Sequence, residues 1–124
     1  MSDNGKIGWI DLTCENATAV KDFYSQVTGW ASTSVPVADY EDYCVHPSAD
    51  ADPVAGICHQ RGANAEIPSQ WMIYINVADL QASMDKCREL GGEIVCPARD
   101  MGGYGTMCII KDPAGAVAAL IQPN

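Results

Sequence analysis

At 124 residues and 48% hydrophobic, the chain is long enough to bury a core as one domain, residues 1–124, and too apolar to be disordered. Its 16 acidic residues against 7 basic ones give a formal charge of −9 with no local Lys/Arg cluster, which argues against nucleic acid and anionic membranes as partners. No apolar run nears the roughly 18 residues of a membrane span, and MSDNGK lacks a signal pattern, so the expected location is the cytosol.

The first strand-like run is IGWIDLTC. Asn16 follows as a helix cap, and Val20, Phe23 and Val27 carry helical spacing up to a left-handed stop at Gly29. Three β-prone runs come next, near 33–37, 40–45 and 54–58, the first cut by Pro36 and therefore expected at a sheet edge or a strand end. QRGANAEIPS, residues 60–69, has the composition of a connector between modules of about 1–60 and 68–124.

The second half opens with the strand WMIYINV. Asp79 caps a helix whose stripe is Leu80, Met84 and Cys87, with Leu90 close by, and Gly91-Gly92 end it. Strands are expected near 93–96, 106–111 and 116–121, with Pro97 cutting the first and a glycine-rich loop, ARDMGGYGTM, over 98–107. Asp112-Pro113-Ala114-Gly115 is a well-specified turn: proline presets φ for its second position and glycine relieves the crowding that follows.

Shifted by 63 positions, the chain rhymes with itself. Trp9 falls on Met72, Leu12 on Ile75, Cys14 on Val77, Asn16 on Asp79 and Gly29 on Gly92. Residue class is kept across the stretch, so the unit βαβββ is used twice.

The ordered set IGWIDL, FY, TGW, PVAGI, WMIYINVADL, LGGEIV and KDPAGA resembles the vicinal oxygen chelate superfamily of glyoxalases, bleomycin-resistance proteins and ring-cleaving dioxygenases, and looks most like its single-chain subset. The resemblance implies an α+β fold in which two βαβββ modules curl an eight-stranded mixed sheet into an open cup with helices outside. It also implies where metal-dependent members place a His or Glu: one cup-facing position in the first and last strand of each module. Those positions carry over to Trp9, Met72, Ala119 and, less directly, Gly56. None is a good ligand for zinc, iron or manganese, so no metal and no cofactor is expected. His46 and His59 read as partly exposed strand-end residues, and Glu41, Asp42 and Glu66 as solvated charges.

Alternation puts Trp9, Asp11 and Thr13 on one face of the first strand and Met72, Tyr74 and Asn76 on one face of the fifth. Trp9, Asp11, Met72, Tyr74 and Asn76 are therefore candidate ligand-binding residues near the module junction, with Tyr104 in the glycine-rich loop as a roof. The competing reading has Trp9 and Tyr74 filling the cup and Asp11 bonded to Tyr74. Asp11 is the strongest single candidate, because a carboxylate on an inward face costs free energy unless paired or used. The six cysteines form no CxxC pair and read as reduced, structural thiols.

Three functions compete: a metal-free protein of the bleomycin-resistance type that binds an aromatic or cationic small molecule; an enzyme, either a lyase, isomerase or dioxygenase with unusual metal ligands or an acid–base catalyst using Asp11 and Tyr74; and a packed interaction module. A homodimer is expected, since the uncharged strand AVAALI needs cover on both faces.

Overall fold

A computed structural model describes residues 3–124. The elements follow the order β1 (Ile7–Cys14), α1 (Ala17–Thr28), β2 (Ala31–Val37), β3 (Tyr40–His46), β4 (Ala55–His59), β5 (Trp71–Asn76), α2 (Leu80–Glu89), β6 (Glu93–Asp100), β7 (Thr106–Lys111) and β8 (Val117–Gln122), with short 3₁₀ turns at Gly62–Asn64 and Gly102–Tyr104. The class is α+β, an unclosed mixed sheet of eight strands with two helices, as the sequence implies.

The chain divides into two compact units, Ile10–Trp71 and the stretch up to Trp9 together with Met72–Asn124. In the Ile10–Trp71 unit the strands run β2-β3-β4-β1, with β1 parallel to β4 and the other pairs antiparallel. In the other unit the order is β6-β7-β8-β5, with β5 parallel to β8. The register repeats with the sequence: Asp11 faces Gly56 in β4, and Tyr74, 63 positions on, faces Ala119 in β8, 63 beyond Gly56. Between the modules the β2–β3 turn lengthens from residues 38–39 to its counterpart 101–105, while the β3–β4 connection shortens from 47–54 to 112–116. A gain of three residues is offset by a loss of three, which is why one offset spans both ends.

Both helices start and stop where the caps predict. The Asn16 side chain accepts from the Ala19 N–H at 3.2 Å, and Asp79 accepts from the Ala82 N–H at 3.0 Å. Gly29 and Gly91 take the left-handed conformation, φ +81° and +94°. Asn16→Ala removes the acceptor from the first turn of α1 and should cost about 1 kcal/mol in urea denaturation. In the Asp112 turn, the carboxylate accepts from the N–H groups of Ala114 and Ala116 at 2.8 and 3.1 Å.

The buried face of α1 differs from the expected stripe. Phe23 and Val27 are exposed, at 57% and 64%. Ala17 is fully buried instead, and Val20 and Tyr24 pack on the core of Leu12, Cys14, Tyr43, Val45 and Ile57. The helix is turned by the ring cluster of Tyr24, Trp30 and Trp71: Trp71 Nε1–H donates to the Tyr24 hydroxyl at 3.0 Å, and the two indoles meet edge to face at 5.9 Å. In the other unit Leu80 and Met84 bury against Cys108 and Leu120 as expected, while Leu90 is exposed.

β2 and β6 each pair with one strand, so Pro36 and Pro97 do lie on edges. Neither proline ends its strand. β6 runs on to Asp100 rather than stopping at 96, through register shifts between Ile94 and Cys96 and between Cys96 and Arg99, and so takes in the first residues of the expected loop. An edge strand loses no ladder bond at a proline whose nitrogen faces outward.

Candidate functional site

In the Ile10–Trp71 unit, Leu12 and Cys14 point to α1, so Asp11 and Thr13 occupy the opposite face of β1. Gly56 lies beside Asp11, and Cys44 beside Gly56, which puts Cys44 and Cys58 on that same face. The electrostatics agree. Burial pushes the Cys44 thiol up and the negative charge of Asp11 adds to it; Cys58 is raised by burial, then by Asp11 and Asp42. A half-buried carboxylate, a buried hydroxyl and two neutral thiols therefore share one face.

Asp42 corrects the sequence reading. It is not a solvated loop charge but a residue within β3, 8% exposed, whose Oδ1 accepts from the His59 backbone N–H at 2.8 Å and lies 3.3 Å from His59 Nδ1. His46 and His59 stand at the last positions of β3 and β4 and are half-buried, as expected. His46 has settled partners, the Thr33 hydroxyl at 3.0 Å and the Ala51 carbonyl at 2.8 Å.

The remaining candidates belong to the other unit. Met72 and Tyr74 share one face of β5 and are buried, at 1% and 7%; Asn76, on the same face, is half-buried. Met107, Ile109 and Ala119, fully buried, occupy the matching face of β7 and β8. Trp9 is half-buried. Tyr104, on its 3₁₀ turn, is 78% exposed. Its loop is tied down: the Met101 N–H donates to the Gly105 carbonyl at 2.7 Å and the Asn124 side chain to the Gly102 carbonyl at 3.0 Å. Gly105, φ +118°, lies so close to the Gln122 carbonyl that no side chain fits there.

Asn76 also lines a groove of about 240 Å³ with Asp3, Asn4 and Gln122. There the Asn4 side chain accepts from the Ala78 N–H at 2.9 Å and Gln122 from the Leu80 N–H at 2.8 Å, so both amides serve the start of α2. Neither was legible in the sequence, since both act across the chain on backbone donors.

The four positions at which the superfamily can build a metal centre do not fit one. Gly56 and Ala119 carry no donor atom, Trp9 offers an indole, and Met72 a buried thioether. Among the described residues no three His, Cys, Asp or Glu side chains stand close enough to hold an ion.

Among the described residues the six thiols form no disulfide. Burial is the first cause of the upward shift at Cys14, Cys44, Cys58 and Cys108, and it pushes Cys108 up to about 11. An unfolded thiol ionises near 9.0 while folded Cys108 holds its proton to about 11. Between those values the unfolded chain binds fewer protons than the folded one, so stability falls as pH rises. The contribution is intact below pH 9. Thermal melts from pH 8 to 11 should show a falling Tm above pH 9, and iodoacetamide labelling of native protein at neutral pH should be slow. A flat Tm or one rapidly labelled cysteine would contradict this.

No helix among the described residues is long and apolar enough to cross a membrane. Several of the protein's likenesses are informative. Residues 6–120 match the family described as Glyoxalase/Bleomycin resistance protein/Dioxygenase superfamily. CFP32 of Mycobacterium bovis, provisionally named a glyoxylase, is 35% identical over 97% of this chain and 46% of its own length. The anthracycline biosynthesis protein DnrV of Streptomyces peucetius is 28% identical over 94% of this chain and 46% of its own. The chain thus spans about half the length of the curated relatives it matches. A Streptomyces coelicolor methylmalonyl-CoA epimerase variant in complex with 2-nitronate-propionyl-CoA shares the fold, with TM-score 0.60, 15% identity, and coverage of 97% of this chain and 98% of that one. With the match spanning nearly its whole length, the chain belongs to the glyoxalase, bleomycin-resistance and dioxygenase superfamily.

Proposed function

We propose that the protein binds a small aromatic cation without a metal, on the Asp11 face of the Ile10–Trp71 unit. The observation that carries this is the donor set: where metal-dependent members need imidazole or carboxylate, this chain has Trp9, Gly56, Met72 and Ala119. On the Asp11 face, the carboxylates of Asp11 and Asp42 both act on Cys58, and nothing basic is among the groups that do so. A cation is what such a face attracts. The likeness to a protein named for anthracycline biosynthesis supports a planar aromatic body, anthracyclines being fused-ring aromatics.

Thermal shift with proflavine, planar and cationic, against acridone, planar and neutral, tests the charge preference. Proflavine at 100 times its Kd should add about 2.7 kcal/mol of stability, with acridone far weaker. Equal stabilisation by both, or by neither, would contradict the proposal. So would stoichiometric zinc, iron, nickel or manganese in dialysed protein, which would favour a metal-dependent lyase, isomerase or dioxygenase with unusual ligands.

A further inference from the structure

At the far end of β3 and β4, Asp42 meets four further side chains that the Asp11 face does not use. Asp42, buried, accepts from the His59 backbone N–H and lies 3.3 Å from Nδ1 of the same residue. A carboxylate at Nδ1 keeps a proton on that nitrogen and leaves Nε2 as the free corner of the ring. Among the described residues His59 Nε2 has no hydrogen-bond partner. The imidazole meets Tyr40 edge to face at 5.4 Å and lies tilted to Tyr43 at 6.4 Å. Arg61 lies over the same Tyr40 ring, its Cζ 4.3 Å from the centroid.

Arg61 is exposed and makes no ion pair among the described residues, in a chain where acidic residues outnumber basic ones 16 to 7. The exposed Glu41 pairs with neither Arg61 nor His59, and Lys21, over the Tyr43 ring at 4.7 Å, is paired with Asp22 at 3.0 Å. Closing the strand end takes only the backbone N–H of His59. The oriented ring and the stacked guanidinium are surplus to that task.

We propose that Arg61 and His59 Nε2 form a second binding site, for the oxyanion of a small organic acid or a phosphate, behind Asp42 at the end of the Asp11 face. The guanidinium presents a planar fork of donors matched to carboxylate and phosphate oxygens. Stacked on Tyr40, it gives up little freedom when it binds. His59 Nε2 supplies the second contact, and Asp42 at Nδ1 holds the ring from behind.

The test is ¹⁵N NMR of the histidine rings in the full chain, titrated with benzoate or inorganic phosphate at constant ionic strength. A saturable shift at His59 Nε2, absent from His46, is expected with at least one anion. Tighter benzoate binding assigns the site to carboxylates, and tighter phosphate binding to phosphates. Arg61→Gln, at an exposed position, should lower affinity by about tenfold or more without changing Tm. His59→Gln should lower affinity as well. No saturable shift up to tens of millimolar of either anion would overturn the proposal, as would unchanged affinity in Arg61→Gln.

Discussion

Alanine in place of Met72 is expected to lower the unfolding free energy by about 2–5 kcal/mol, the range for truncating a long side chain in a packed interior. The sequence places Met72 on the presumed ligand face, opposite the run Ile73, Ile75 and Val77. The side chain is 1% exposed, and the matching faces of β7 and β8 bring Met107, Ile109 and Ala119 at zero exposure. A thioether in such a setting makes dispersion contacts all round, and the atoms left by truncation have nothing to replace them. Met72→Leu keeps volume and should cost less than about 1.5 kcal/mol. Urea denaturation of the two variants separates the roles. A stable Met72→Ala protein with altered ligand affinity would mark Met72 as a ligand contact; a large loss for alanine and a small one for leucine marks it as core.

The duplicated βαβββ plan was legible because each element is written locally. Asn16 and Asp79 cap helices with their own side chains, Gly29 and Gly91 end them, and the Asp112 carboxylate shapes its own turn. The buried face of α1 was not legible. Two stripes overlap in its sequence: Val20, Phe23 and Val27, and, one residue away, Ala17, Val20 and Tyr24. Which of them turns inward depends on Trp71, 47 residues from Tyr24, whose indole N–H needs the tyrosine hydroxyl. Local periodicity cannot weigh that bond.

The same limit applies to Asp42. In YEDYC it stands beside Glu41, and nothing nearby distinguishes the two carboxylates. Alternation in β3 puts Glu41 on the face of Tyr43 and Val45, at its exposed end, and Asp42 on the opposite face with Cys44, where the donor awaiting it is the His59 backbone N–H, 17 residues on. Asp11 was legible because its strand is amphipathic on its own. A backbone donor at a distant strand end leaves no trace in residue type.

Asp11→Asn is expected to weaken proflavine binding by about 10- to 100-fold, the scale of one hydrogen bond to a charged group, and to leave acridone binding nearly unchanged. The substitution keeps the shape of the side chain and removes its charge, so the comparison isolates electrostatics from packing. Salt should erode the wild-type preference for proflavine only in part, because Asp11 is half-buried and its field is screened less than that of a surface carboxylate. A second readout is independent of any ligand. The Asp11 charge is among the causes that hold up the Cys44 and Cys58 thiols. Its removal should lower both, and alkaline labelling of Cys44 should speed up, while Cys108, which owes its shift to burial and to Cys87, should be unaffected. Faster Cys44 labelling with unchanged proflavine affinity would place Asp11 beside the thiols and the ligand elsewhere. Unchanged labelling would mean that Asp11 does not act on the Cys44 face at all.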